Sequence, residues 1–178
     1  MAREGASKAG ASLRERREAI VREHMESENT HEFDVTIDTF SHPRYELVAT
    51  GEVYDGEAEV RAYYAETRAA FPDQRNELIS LRHTDDAVIV EFDLLGTHLG
   101  ALRALPPTGR SFRARMAAFF IFDGDRIVCE RVYFDQASIM SQLGIAHDPS
   151  SLAGRITTLL SHPVTIGGAM IRSALHRG

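Results

Sequence analysis

The spacing of apolar residues changes about midway along the chain. Before Pro72 the apolar positions recur every three or four residues, which is typical of helices with one buried face. This period predicts helices over residues 12–30, 33–40 and 57–70. Ser12 and Glu15 have the spacing of a capping box, so the first of these helices is expected to begin at Ser12.

The second half of the chain has the pattern of β-strands. Apolar residues alternate with polar ones or form short continuous runs, and turn sequences such as Asp123-Gly124-Asp125 separate the runs. The expected strands cover residues 77–82, 87–95, 112–122 and 127–134, with two shorter ones earlier, at 45–50 and 52–54. A short helix over residues 136–143 is expected after the last strand.

Helices followed by an antiparallel meander predict an α+β domain, in which the helices cover one face of a curved sheet. Such a sheet wraps into a half-open cone, and the apolar interior of a cone suits a small ligand. We expect a flexible N-terminus over residues 1–11, the cone domain over 12–145 and a helical C-terminal extension over 146–178. Three arginines and no carboxylate follow Pro149, so the extension differs in composition from the domain.

Composition and charge exclude several classes of function. The chain has 178 residues, 43% of them hydrophobic, which fits one folded domain. Its net charge of −6 argues against nucleic acid as a partner, because phosphates require a basic surface. A single cysteine and the lack of an apolar leader predict a cytoplasmic protein without disulfides. No membrane contact is expected, although the basic extension is weakly compatible with one.

One acidic residue stands out, because Asp135 ends an apolar strand in the segment RVYFD and directly precedes a helix. If its side chain lies on the concave face of the sheet, those of Arg131 and Tyr133 lie there too, since side chains alternate along a strand. A carboxyl group in an apolar cleft has a raised pKa and can transfer protons near neutral pH. The alternative is that Asp135 only caps the following helix.

Other polar residues could complete a site around this carboxyl group. His98 lies between glycines in GTHLG, where it could hold a substrate carbonyl or simply bond to the backbone of its loop. Arg115 could bind an enolate if it points inward, and a solvated charge is the alternative. Tyr63 is a candidate for the pocket wall. Asn29 either caps the first helix or supplies a pocket amide.

Several segments together resemble those of the SnoaL-like polyketide cyclases, within the nuclear-transport-factor-two-like superfamily of cone folds. The segments are GTHLG, PPTGR, DGDRI and ERVYFDQASIMSQLG, with YDGEAEVRAYY nearer the start. The resemblance extends over roughly residues 15–145, and it implies the cone fold together with dimerisation of two identical subunits. It is less informative on function, since this fold hosts cyclases, isomerases, hydrolases and non-catalytic binders.

The resemblance also implies a mechanism. SnoaL-like cyclases close a ring by intramolecular aldol condensation on a small apolar, polyketide-like substrate, with no cofactor and no metal. Asp135 falls on the position of the acid/base aspartate, which would remove a proton next to a carbonyl. His98, Arg115 and Tyr133 would then stabilise the enolate.

Two alternatives to a cyclase or isomerase stay open. Family members often carry tryptophan four residues before the aspartate, where this chain has Arg131, and the chain contains no tryptophan. A differently shaped pocket is therefore expected, and a non-catalytic module that binds a small ligand or a protein is one alternative. The other is a hydrolase similar to limonene epoxide hydrolase, which would need a second inward carboxylate, from Glu91 or Asp93.

Overall fold

The computed structural model describes residues 11–147 and 150–175, so most of the expected flexible N-terminus lies outside the described residues. The first helix, α1 (Leu13–Thr30), begins after Ser12. The Glu15 amide donates to the Ser12 hydroxyl, and the Ser12 amide donates to the Glu15 carboxylate at 2.7 Å, so the capping box is confirmed. A short α2 (Phe33–Asp38) follows, and α3 (Glu57–Ala70) has the predicted bounds.

Six strands form a single curved sheet with the order β2-β1-β6-β5-β4-β3. Neighbouring strands are antiparallel except for β1 and β6, which run parallel. The helices lie before and after the long meander, so the predicted α+β class is confirmed. The strands are β1 (Arg44–Leu47), β2 (Glu52–Asp55), β3 (Arg75–His83), β4 (Ala87–Thr97), β5 (Ser111–Asp123) and β6 (Arg126–Phe134).

The long strand β5 separates the two faces of the sheet. Phe112, Met116 and Phe120 are buried in the core that residues of α1 and α3 complete. The intervening Arg113 and Arg115 lie on the outer face and are more than half exposed. Alternation along this strand therefore places Phe112, Met116 and Phe120 inside the cone and the two arginines outside it.

The alternation along β6 decides which of its side chains reach the interior. A β-bulge against β5 leaves Val128 without a partner in the register. Beyond the bulge, Glu130 and Val132 are buried, whereas Arg131 is half-buried and Tyr133 is 43% exposed. The outer face thus carries the residues that were expected on the concave face.

Three helices follow β6 in the part of the chain that the structure describes. The first, α4 (Gln136–Gln142), packs beside β5 at the open end of the cone. The other two, α5 (Leu152–Ser161) and α6 (Pro163–Leu175), pack on each other and are separated at His162-Pro163. Within the described residues, no helix is both long and apolar enough to cross a lipid bilayer.

Candidate functional site

A cavity of about 490 Å³ opens between α3, α4 and the inner face of the sheet. Most of its wall is apolar, because the inward positions of four strands carry large aliphatic and aromatic residues. This wall includes Leu47, Leu94, Phe112, Met116, Val132 and Phe134, and α4 adds Ile139 and Met140. The volume falls within the range of roughly 300–1,000 Å³ found for small-molecule sites.

The ionisable groups of the cavity share one wall. Glu52 and Tyr54 lie two residues apart on β2, so both side chains point to the same side. Tyr63 and Glu66 lie three residues apart on α3, which places them on one face of the helix. The rings of Tyr54 and Tyr63 have centroids 4.8 Å apart, so the two elements meet at this wall.

Arg103 joins these two elements from a tight turn. Leu102 and Leu105 exchange backbone hydrogen bonds of 3.0 and 2.9 Å, and Arg103 occupies the turn with φ of 53°. Its guanidinium donates to the Glu52 carboxylate, and its Nε lies 3.5 Å from Oε1 of Glu66. The turn thus places one cation between two carboxylates at the cavity wall, a set that we call the Glu52–Arg103–Glu66 triad.

Burial and neighbouring groups determine which side chains of this wall are protonated. Burial is the largest single effect on Glu52 and raises its pKa, but the hydrogen bonds from Arg103 and Thr50 together with the charge of Arg103 outweigh it, so the pKa is lowered overall. Burial raises the pKa of Tyr54 and, more strongly, that of Tyr63. At neutral pH the two phenols are therefore protonated hydrogen-bond donors beside an ionised carboxylate.

A cluster of buried polar side chains lies directly behind the part of the cavity wall that β1 and β6 form. Leu47 and Val132 pair across β1 and β6 and line the cavity, and Tyr45 and Glu130 pair two positions further in. The hydroxyl group of Tyr45 lies 2.8 Å from Nε2 of His24, which itself lies 3.1 Å from the Glu130 carboxylate. Glu28 accepts a hydrogen bond of 2.9 Å from Tyr45, and the Tyr64 hydroxyl completes the cluster.

The orientation of His24 follows from its second nitrogen. Nδ1 lies 2.9 Å from the hydroxyl of Thr39, and that hydroxyl donates to the Thr36 carbonyl at 2.6 Å. The Thr39 oxygen must therefore accept from Nδ1–H, which leaves Nε2 facing Glu130 and Tyr45. Burial alone would lower the pKa of His24, but the neighbouring carboxylates outweigh it and raise the pKa.

The same cluster offers the donor set of a metal site. One ligand atom each from His24, Glu28 and Glu130 lies within 4.8 Å of the others. Burial raises the pKa of Glu130 more than the hydrogen bond from His24 lowers it. The histidine, carboxylate and tyrosine atoms already form hydrogen bonds with one another. We therefore interpret the cluster as a hydrogen-bonded network that stabilises β1 and β6 behind the cavity wall.

The residue expected to act as acid and base does not line the cavity. Asp135 is exposed, and its carboxylate accepts a hydrogen bond of 3.0 Å from the Ser138 amide, as the N-cap of α4. The expected inward orientation of Asp135 is wrong. Val132 and Phe134 point into the cavity, and because side chains alternate, residue 135 points to the outer face. His98 is fully buried in its loop, with Nδ1 3.3 Å from the Thr108 hydroxyl, and is not part of the cavity wall.

The other predicted site residues are dispersed over the molecule. Arg115 lies on the outer face, 2.6 Å from the Asp93 carboxylate. Arg131 pairs with Glu46 on that same face, near the exposed Tyr133. Asn29 links the end of α1 to β3, since its side-chain oxygen accepts a hydrogen bond of 2.6 Å from the backbone amide of residue 76.

Of the predicted residues, Tyr63 alone is in the cavity wall. The Glu52–Arg103–Glu66 triad was not predicted, because its members come from three separate segments of the sequence. For Glu66 a signal was available, because it lies three residues after Tyr63 on a predicted helix. For Arg103 there was none, since its position depends on how the loop folds back over the cavity.

The fold of this chain is similar to those of several solved structures. IdmH from Streptomyces antibioticus, provisionally assigned as a polyketide cyclase, superposes with a TM-score of 0.62 at 23% identity, covering 72% of this chain and 98% of that one. A SnoaL-like protein from Jannaschia sp. CCS1, with the same provisional assignment, gives 0.69 at 17% identity over 78% and 97% of the two chains. The chain therefore has the nuclear-transport-factor-two-like fold.

The sequence identifies one family within this fold. Residues 18–143 match the family of SnoaL-like polyketide cyclases, and the chain belongs to that family. No curated protein matches the chain significantly. A third similar structure, AclR from Streptomyces galilaeus, is provisionally named a hydroxylase (TM-score 0.64, 20% identity over 75% and 98% of the two chains), so similar folds carry different assignments.

Proposed function

We propose that the chain is a cofactor-independent enzyme that binds a small, mainly apolar carbonyl compound in the cavity and transfers protons on it, as an aldol cyclase or an isomerase does. One observation carries the proposal. Most of the cavity lining is apolar, and its carboxylates, phenols and arginine converge on one wall. An apolar body would fill the cone, and its carbonyl group would face the ionisable wall.

The residues of this wall can divide the work of enolisation. The Tyr63 hydroxyl, which is kept protonated by burial, would donate a hydrogen bond to the carbonyl oxygen. Glu66, whose contact with Arg103 is the looser one, would take up the proton next to the carbonyl. Arg103 would stabilise the negative charge that develops on the carbonyl oxygen. Asp135 has no part in this scheme.

The test is hydrogen exchange on a model ketone. 2-Tetralone is dissolved in D₂O with the protein, and loss of its α-proton signals is followed by proton NMR. We expect the wild type to accelerate exchange above the buffer rate, and Glu66→Gln to reduce the enzymatic part about a hundredfold, the usual size of a general-base contribution. Tyr63→Phe should also reduce it.

Two matched controls change the same chemistry outside the cavity. Asp135→Asn removes a carboxylate that caps α4, and Tyr133→Phe removes an exposed phenol on the outer face. Both variants should exchange the ketone at the wild-type rate. Binding of the ketone with no acceleration of exchange would contradict the proposal and indicate a ligand-binding module instead.

A specific feature also favours a second candidate, hydrolysis of an epoxide. Such chemistry needs two carboxylates near one arginine, and the cavity wall contains that set in Glu52, Arg103 and Glu66. Asp93 cannot supply it, since it pairs with Arg113 and Arg115 on the outer face. Protein-dependent opening of styrene oxide, without exchange on 2-tetralone, would favour this candidate.

A further inference from the structure

The charged groups of the cavity wall do not balance. Among the described residues that line the cavity, the charged side chains are Glu52, Glu66 and Arg103. Two carboxylates thus share one guanidinium, and the wall carries one negative charge in excess. The whole chain has a net charge of −6, which has the same sign as the excess charge on the wall.

The excess charge is concentrated at Glu66. Arg103 donates directly to Glu52, whereas its contact with Glu66 is an ion pair of 3.5 Å without a hydrogen bond. No other basic side chain among the described residues pairs with Glu66. The carboxylate is partly shielded by the cavity, with 37% of its side chain exposed, so water screens its charge only in part.

The aromatic side chains of the wall add to the same preference. Tyr54 and Tyr63 lie beside the carboxylates with ring centroids 4.8 Å apart, and tyrosine faces attract cations. We infer that the cavity selects ligands that carry a protonated amine on an apolar body and disfavours carboxylic acids. This inference concerns the substrate class of the proposed function, because it relies on the same cavity.

Arg103 then acts as an internal counter-ion for the carboxylates of the cavity wall. It sits on an exposed two-residue turn, and 59% of its side chain is accessible to solvent. A ligand ammonium group near Glu66 would supply the missing positive charge. Removing Arg103 should therefore strengthen amine binding, whereas a protein that uses Arg103 to recognise acids would respond in the opposite way.

Three naphthalene probes of similar shape test the inference by isothermal titration calorimetry at pH 7. They are 2-naphthylmethylamine, 2-naphthalenemethanol and 2-naphthylacetate, which are cationic, neutral and anionic. A unit charge near a half-screened carboxylate changes affinity about tenfold, so the amine should bind about tenfold more tightly than the acid or better, with the alcohol between them.

Variants locate the origin of the selectivity. Glu66→Gln should reduce the ratio of amine to acid affinity to near unity, and Arg103→Gln should increase it. The control is Glu57→Gln on the same helix, which removes one negative charge where Glu57 pairs with Arg61 outside the cavity. This control should leave the ratio at its wild-type value.

The outcomes separate this inference from the proposed function. Equal binding of all three probes, or tighter binding of the acid that Arg103→Gln abolishes, overturns the inference and leaves the ligand cavity in place. An equal response to Glu57→Gln and Glu66→Gln overturns it as well, because the selectivity would then come from overall charge. Failure of all three probes to bind overturns the proposed function together with this inference.

Discussion

The replacement His24→Ala should strongly destabilise the protein. His24 is fully buried between the Glu130 carboxylate, the Tyr45 hydroxyl and the Thr39 hydroxyl, so alanine leaves two buried carboxylates without their cationic partner. Removing one partner from a buried ion pair costs about 3–5 kcal/mol. A domain of this size has a total stability of roughly 5–15 kcal/mol, so the variant should be marginally folded.

Urea denaturation at pH 7, followed by circular dichroism, measures the loss. The matched control is His42→Ala, since His42 also pairs with a carboxylate, Asp55 at 2.6 Å, but is 63% exposed. Exposed ion pairs contribute little, so this control should unfold close to the wild type. If His24→Ala lost less than about 1 kcal/mol, the interpretation of the cluster as a supporting network would be refuted.

The pH dependence of unfolding tests the same cluster without the risk of misfolding. The pKa of His24 is raised above its ordinary value of 6.5, so its stabilisation is complete below that pH and is lost as the pH rises through the folded-state pKa. The pKa of Glu130 is raised by burial from its ordinary value of 4.5, so its own contribution has the same sign but begins to be lost at a lower pH than that of His24. The unfolding free energy should fall from pH 6.5 to pH 9, and Glu130→Gln should reduce that fall. A free energy that rises over this range would contradict the assignment.

The remaining predictions concern the N-cap of α4 and two glycines. Asp135→Ala should cost about 1 kcal/mol of unfolding free energy through the lost cap of α4, whereas Asp135→Asn should cost little; equal losses in urea denaturation would refute the capping role. Gly100→Ala should destabilise by about 2 kcal/mol or more, because its Cβ would lie 2.0 Å from the Ala69 carbonyl oxygen. Gly167→Ala, in open space on α6, should raise stability by about 0.5–1 kcal/mol, and a loss there comparable to that of Gly100→Ala would contradict the account.

Local patterns predicted most of the fold. The capping box of Ser12 and the strand pair around Asp123-Gly124 depend on residues close together in sequence, and the structure confirms both. The parallel pairing of β1 with β6 was not predicted, because it joins residues 85 positions apart, such as Tyr45 and Glu130, and leaves no local signal. The homodimer and the cytoplasmic location stay predictions.

The site was harder to predict than the fold, for a geometric reason. Alternation showed that Arg131, Tyr133 and Asp135 share a face, but it cannot show which face is concave. Which face is concave depends on which side of the sheet the helices cover. Val132, apolar and between two polar neighbours, was the available indication, since it points into the cone and puts its neighbours outside.

The central claim is that a small apolar carbonyl compound binds inside the cone, and methionine methyl groups test it most directly. Met116 and Met140 line the cavity, whereas Met25 is buried in the core away from it. Protein labelled with carbon-13 at the methionine methyl groups is titrated with 2-tetralone, and the methyl shifts are followed by NMR. We predict saturable shifts for Met116 and Met140 and none for Met25. Unchanged signals from Met116 and Met140 at saturating ketone would contradict the claim.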